Sequence, residues 1–295
     1  MPLPDQVISL PCWVGPVRGT PLSGGLSNEI WKVTDNRGDH VVRLGRDYPF
    51  HHVFRSRELM TTEAAHAAGF APAVEYAEPG VMVTRFVTSR TLRSDDVCQD
   101  PARIAALVRD FHHKMPAEVS GPAYLFWVFH VIRDYARTLQ GAAGPHDWDL
   151  ARYLGLAQAL ETTQVPLPLV FGHNDLLPAN FLDDGSRLWL IDFEYAGFST
   201  CMFDLAGVAS NAGMSDQQAA ELLRAYFGHP VDQALLRAFD AMQCASLLRE
   251  AMWAMVSAIH LSAPGVDYPQ YARDNLERLD ASLHHYQSKH GRLPS

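Results

Sequence analysis

The stretch FGHNDLLPANFL, residues 171–182, sets a histidine, an aspartate and two asparagines among apolar residues, with a proline before the second asparagine. A buried strand does not carry so many polar groups, and a surface loop does not need so many apolar ones. His173, Asp175 and Asn180 follow the pattern H-x-D-x-x-x-x-N. That spacing belongs to a loop in which an aspartate meets an attacking hydroxyl and an asparagine, one loop turn later, reaches a metal ion. Twelve residues beyond Asn180, the run LIDFEYAG (190–197) places Asp192 after an apolar strand, where a second metal ligand belongs. Magnesium takes few carboxylates and completes its shell with phosphate oxygens and water, so Asn180, Asp192 and a nucleotide suffice. His173 reads as a brace for the loop rather than a titrating group.

Upstream, LSGGLSNEIWKV (22–33) carries two glycines between strand-like runs, which let backbone N–H groups approach a phosphate without interference from a Cβ. Ser23, Ser27 and Asn28 add side-chain donors beside Gly24 and Gly25. An ordinary glycine turn is the alternative reading of that segment. No Walker A lysine motif is present, which excludes a P-loop NTPase. In HVVRLGR (40–46), Arg43 sits inside an apolar strand, a costly place for a permanent charge without a partner. The helix that follows offers Glu58 first and Glu63 second, the alternative being an Arg43 at a strand edge in water. Such a pair aims a cation at phosphates, and an arginine forks to two oxygens where a lysine presents a point charge.

The first ninety residues read as strands with one helix. Apolar alternation marks strands over 28–34 and 40–45, joined by a turn at 35–39, and a third strand precedes Gly24-Gly25. Residues 54–68 read as a helix stopped by Gly69 with Pro72 beyond, and AVEYAEPGVMVTRF (73–86) as two strands about a Glu78-Pro79-Gly80 turn. Beyond residue 100 helices are expected near 101–115, 124–141, 148–163, 216–227, 231–260 and 268–287, interrupted by short strands within 168–192. The division expected is a nucleotide-binding lobe over 1–88 and a catalytic, acceptor-binding lobe over 89–295.

Composition narrows the field. The 295 residues are 47% hydrophobic and 19% charged, the balance of a globular protein with a sizeable core. No apolar run approaches the roughly 20 residues that span a bilayer, and MPLPDQVISLPCW lacks a basic start before an apolar stretch, so the expectation is a cytoplasmic protein with no membrane partner. Cys12, Cys98, Cys201 and Cys244 show no paired spacing, against a disulfide framework or a zinc knuckle. The adjacent histidine pairs 51–52, 112–113 and 284–285 point apart on a helix and make poor chelators. A net charge of −9 disfavours nucleic acid and favours a small cationic partner.

With these residues in hand, the chain resembles the choline/ethanolamine kinase branch of the aminoglycoside-phosphotransferase-like kinases, from about Pro11 to Tyr286. The resemblance rests on LSGGLSN, HNDLLPANFL, and IDFEYAG followed by FDLA (203–206). It implies an α+β, protein-kinase-like two-lobed fold with ATP held in the cleft between lobes, and ATP and Mg2+ as cofactors. It implies Asp175 as catalytic base, Asn180 and Asp192 on magnesium, and Glu58 orienting Arg43. TRFVTSRTL (84–92) looks like the hinge, with backbone groups near Phe86 and Val87 meeting adenine. For the acceptor, REAMWAMVSAIHLSAPGVDYPQYARDNL (249–276) resembles the family segment that holds a quaternary ammonium, so the expected contacts are Asp175, Glu194, Glu250, Trp253 and Tyr271. An aromatic face beside a carboxylate suits such a cation, the alternative being that Trp253 is core between two helices. The chain departs from the family at Asn211, where a glutamate is usual, and at Glu250, where a second tryptophan is usual. Choline leads as acceptor, ethanolamine follows, and aminoglycosides, thiamine or a non-catalytic nucleotide-binding role stay open.

Overall fold

The computed structural model describes residues 2–22, 29–142, 148–261 and 265–294. The chain opens with a short helix α1 (Asp5–Ile8) and strands β1 (Arg18–Pro21), β2 (Glu29–Asp35) and β3 (Gly38–Leu44). The β2–β3 hairpin pairs Ile30 with Arg43 and closes at Asp35↔Gly38. A positive φ of 139° at Gly38 makes that turn possible. Helix α2 (Arg55–Ala67) follows, then β4 (Val74–Glu78) and β5 (Val81–Arg85). The strand order β1-β2-β3-β5-β4 inserts β5 beside β3, so Arg43 faces Met82 across the ladder. Alternation in β2 and β3 sends Trp31, Val33 and Val42 into a core with Val7, Leu10, Val81 and Val83. Their neighbours, Arg43 included, fall on the opposite face.

The chain then gives β6 (Arg90–Thr91), α3 (Ser94–Gln99), α4 (Pro101–Glu118), α5 (Val128–Gln140), α6 (Leu150–Glu161) and β7 (Leu169–Gly172). A hairpin of β8 (Phe181–Asp183) and β9 (Leu188–Leu190) pairs with β6 in the order β6-β8-β9. Strand β10 (Gly197–Thr200) pairs antiparallel with β7 and leads straight into α7 (Cys201–Ala212). Helices α8 (Asp216–Phe227), α9 (Gln233–His260) and α10 (Tyr268–His290) complete the chain. α7 is absent from the sequence reading. Cys201–Ala209 are all buried, so the helix has no polar face and therefore no 3.6-residue signature. α5 begins at Val128 rather than 124, because Phe126 donates its N–H to Phe198 in an extended segment.

Two compact units result. The first gathers residues 1–92, 117–121 and 179–194, and the second gathers 93–116, 122–178 and 195–295. The second packs around α9, whose flanks are covered by α5, α6, α7 and α10. This is a mixed α+β protein with a sheet-rich first part and a helical second part. Among the described residues, no helix is long and apolar enough to cross a membrane.

Candidate active site

In the second unit, β7 delivers the chain to the HND segment. Asn174 takes a left-handed φ of 62° and ties the turn by donating its amide to the carbonyls of Tyr195 and Gly197, at 3.1 and 3.2 Å. Asparagine is among the few side chains that tolerate this conformation. Behind the turn stands Asp204, in the first turn of α7 and 1% exposed. Its Oδ1 accepts the N–H of Asn174 at 2.7 Å, and its Oδ2 accepts the N–H of His173 at 2.8 Å. The ring of His112, wholly enclosed, joins Oδ2 at 2.8 Å and the Tyr226 hydroxyl at 2.7 Å. Burial acts to raise the Asp204 carboxyl, but His112, His173 and the backbone bond outweigh it and hold the group below the usual carboxylate range. Gly172 cannot be larger, since a Cβ there would lie 2.6 Å from Ser199 Oγ and 2.7 Å from Asn174 Oδ1. Asp175 follows directly on this clamp, half-buried, its carbonyl accepting the N–H of Leu177. His173 is fully buried, its ring centroid 6.2 Å from that of Phe111.

In the first unit, Arg43 is the centre of an ion cluster. Its guanidinium bonds Glu58, reaches Glu194 Oε2 at 2.8 Å, and pairs with Asp192 Oδ1 at 2.9 Å. Arg55 joins Glu58 at 2.5 Å and Glu194 at 3.0 Å, while Arg57 donates to the Glu194 carbonyl. Burial alone would depress the Arg43 pKa; the surrounding Asp192, Glu58 and Glu194 carry it upward, so the cation is permanent. Burial and the charge of Asp192 push the Glu194 carboxyl up. Of the two glutamates offered by α2, Glu58 is buried and paired, whereas Glu63 is exposed. Arg43, Arg55 and Glu58 border a cavity of about 890 Å3 that reaches the Pro79-Gly80 turn.

The β8–β9 hairpin brings the two expected metal ligands together. Its register pairs Phe181 with Leu190, and the Ile191 N–H donates to the Asn180 carbonyl at 3.1 Å, so Asn180 and Asp192 flank the same end. Asp192 has a φ of 70°, a strained conformation of the kind found at functional positions. Its Oδ1 is buried and pairs with the Arg43 guanidinium at 2.9 Å. A carboxylate and a side-chain amide oxygen are hard ligands of the kind magnesium takes, and the hairpin carries both residues at one end. Among the described residues, no cluster of three His, Cys, Asp or Glu could hold a metal unaided. At the expected hinge, the Phe86 N–H donates to Asp39, the Val87 carbonyl accepts from Ser89, and Lys32 lies 4.0 Å above the Phe86 ring. Ser23, Gly24, Gly25, Ser27 and Asn28 lie outside the described residues.

Glu194 belongs to the arginine cluster of the first unit, held by Arg43 and Arg55. Trp253, Tyr271 and Glu250 come together in the second unit. Trp253 is 6% exposed and donates its indole N–H to the Tyr195 hydroxyl at 2.9 Å. Its ring meets Tyr268 and Tyr271 edge-on, at 5.9 and 6.1 Å. The Tyr271 hydroxyl donates to Glu250 Oε1 at 2.9 Å, and burial with the charges of Glu250 and Asp175 raises that phenol. Asn211 donates to the Leu176 carbonyl. Sequence reasoning passed over Arg249, Asp204 and His112 as site residues. For Arg249 a signal existed: a guanidinium in the middle of a helix buried on all sides demands a partner.

These units, with the clamped HND loop and the Arg43 cluster, define a protein-kinase-like fold of the kind that choline kinases and aminoglycoside phosphotransferases share. Residues 20–218 match the family model described as choline/ethanolamine kinase, and the chain belongs to that family. It is 28% identical over 210 residues to a protein of Arabidopsis thaliana named "Probable ethanolamine kinase", covering 62% of this chain and 53% of that one. It is 23% identical over 270 residues to Protein LicA of Haemophilus influenzae, covering 88% of this chain and 77% of that one. The match thus spans about half the length of the Arabidopsis relative. A crystal structure of a choline/ethanolamine kinase family protein from Mesorhizobium loti superposes with a TM-score of 0.75 at 28% identity, covering 94% of this chain and 92% of that one.

Proposed function

We propose that the protein transfers the γ-phosphoryl group of ATP to the hydroxyl of a small cationic amino alcohol, with choline as first candidate and ethanolamine as second, in the cytoplasm. The observation that carries this reading is the double backbone clamp of Asp204 on His173 and Asn174, which fixes the main chain immediately before Asp175. In this reading Asp175 orients the acceptor hydroxyl and takes its proton as the new O–P bond forms and the bond from the γ-phosphorus to the ADP oxygen breaks, with ADP leaving. Arg43, kept charged and aimed by Glu58 and Glu194, stabilises negative charge on the transferring phosphates. Asn180 and Asp192 would hold magnesium, which neutralises charge on the β- and γ-phosphate oxygens when bound. Backbone groups of Phe86 and Val87 take the adenine, and the glycines and donors of 23–28 cover the phosphates. Glu250, Trp253 and Tyr271 recognise the cationic end of the acceptor.

The test is ADP release from Mg-ATP with choline, ethanolamine, thiamine and kanamycin, each against a blank without acceptor. Stimulation by choline or ethanolamine is expected. Asp175→Asn is expected to lower turnover by several orders of magnitude with nucleotide binding retained, and Asp192→Ala to abolish magnesium-dependent turnover. An active Asp175→Asn variant removes the base assignment. Stimulation by kanamycin alone moves the acceptor class.

A further inference from the structure

In the second unit, five side chains form a closed circuit. Arg249, in α9 and 3% exposed, gives Nη1 to Glu250 Oε2 at 2.8 Å. Glu250 accepts the Tyr271 hydroxyl on its other oxygen, Tyr271 meets the Trp253 ring, and Trp253 donates to the Tyr195 hydroxyl. The circuit closes where the Arg249 guanidinium lies over the Tyr195 ring, 4.4 Å from its centroid. Both oxygens of Glu250 are therefore engaged, and one face of Tyr195 is covered by an internal cation. The Nε and Nη2 groups of Arg249 are buried without a hydrogen-bond partner. Sealed donors of this kind are costly, which points to a need for the charge itself. Asp175 follows Asn174, whose side-chain amide donates to the Tyr195 carbonyl at 3.1 Å, so the HND loop and the circuit meet at Tyr195, and the charge of Asp175 adds to the effect of burial and Glu250 on Tyr271 and to that of Glu250 on Arg249.

We propose that Arg249 is a specificity-determining residue that sets the acceptor site to one unit of net negative charge: two carboxylates, Asp175 and Glu250, offset by one guanidinium. Such a site matches a singly charged amino alcohol and disfavours polycations, for which each added positive charge meets no further counter-charge. The inference rests on the acceptor assignment above and deepens it, because it makes charge number, rather than aromatic enclosure alone, the criterion that separates choline from a polycationic antibiotic.

The experiment measures dissociation constants by calorimetry, on the full chain with ADP, for choline and for the bis-quaternary alcohol 1,3-bis(trimethylammonio)propan-2-ol. The unmodified protein is expected to favour choline over the dication. Arg249→Met leaves two negative charges, and the dication-to-choline Kd ratio is expected to fall about tenfold, the size of one partly screened charge interaction. Glu250→Gln leaves none and moves the ratio the other way, while Arg249→Lys keeps it. All shifts shrink at high salt, which a purely structural role does not produce. Glu250 is partly exposed, so its variant decides the matter if Arg249→Met does not fold. A ratio unchanged in Glu250→Gln, or in a folded Arg249→Met, overturns the proposal. The charge pattern without turnover of choline would remove the kinase reading and keep the tuned site. Failure of the unmodified protein to bind either cation overturns both.

Discussion

Asp204→Asn separates the clamp from ordinary packing. In the native protein one carboxylate accepts two backbone N–H groups and the His112 ring, all at 2.7–2.8 Å. An asparagine has one acceptor oxygen, so its amide nitrogen must face either the Asn174 N–H or the His173 N–H, donor against donor. One charge-assisted bond is lost with its donor left buried, and the surviving bonds become neutral. Together these changes cost about 3 kcal/mol, from roughly 1.5–3 for the lost bond and the weakening of the others. A protein stable by roughly 5–15 kcal/mol survives that loss, so the variant folds. Its loop, however, is released one residue before Asp175. A displacement of about 1 Å at a reacting group costs on the order of a hundredfold in rate. Urea denaturation should therefore show the loss in stability, and steady-state kinetics should show kcat falling about a hundredfold with the KM for ATP little changed. A variant with normal kcat and an unshifted denaturation midpoint refutes the reasoning, because the two backbone bonds would then neither stabilise the loop nor position the aspartate.

Two further outcomes test the electrostatics. Arg43→Met leaves Glu58 and Glu194 sharing Arg55 alone and is expected to cost about 3 kcal/mol, the lower end for breaking a buried ion pair, because one of two cations remains; Arg43→Lys keeps the charge but not the fork and should cost less, read by denaturation and by the KM for Mg-ATP. Stability should also fall in acid. Burial opposes ionisation of Asp35, but the Val14 N–H, His40 and Arg37 outweigh it and depress its pKa, and Asp204 is depressed likewise. A carboxyl with a lowered folded pKa adds stability above its unfolded value of about 3.9, and that stability disappears as pH falls below it. Asp35→Asn should accordingly flatten the drop in denaturation midpoint below about pH 4, and curves parallel to the unmodified protein count against this assignment.

What could be read from the sequence was local. The alternation of β2 and β3, the Glu78-Pro79-Gly80 turn and the glycine stop after α2 are signals within a few residues, and the corresponding elements stand in the structure within a few residues of their expected bounds. α7 escaped because its code is not periodic: CMFDLAGVA is apolar around the whole helix, with Asp204 as its one charge, and that charge faces inward onto backbone amides. A fully buried helix cannot be told from an irregular apolar run by period alone. The separation of Asn180 and Asp192 has an equally local origin. Asn180 and Asp192 flank a hairpin whose strands are three residues each, so twelve residues of separation is what a strand, a turn and a returning strand require.

The site itself is written at long range. Arg43 meets Glu194 across 151 positions, and His112 meets Asp204 across 92. No periodicity specifies such pairs; what the sequence shows is only that a charge in an apolar strand or helix needs a partner. That demand has several solutions, and burial selects among them. Glu58 and Glu63 both lie on α2, yet only Glu58 falls on its covered face, where an unpaired carboxylate could not stay charged. Glu194 shows the selection in reverse. It is expected among the acceptor contacts, yet what the structure shows for it is two arginines, Arg43 and Arg55, while the carboxylate bonded to Tyr271 is Glu250. Arg249 accompanies that glutamate as its neighbour in α9, 3% exposed and bonded to it. On the charge proposal above, Glu250 needs a compensating cation if the acceptor site is to match a monocation, and Arg249, the adjacent residue, is bonded to it.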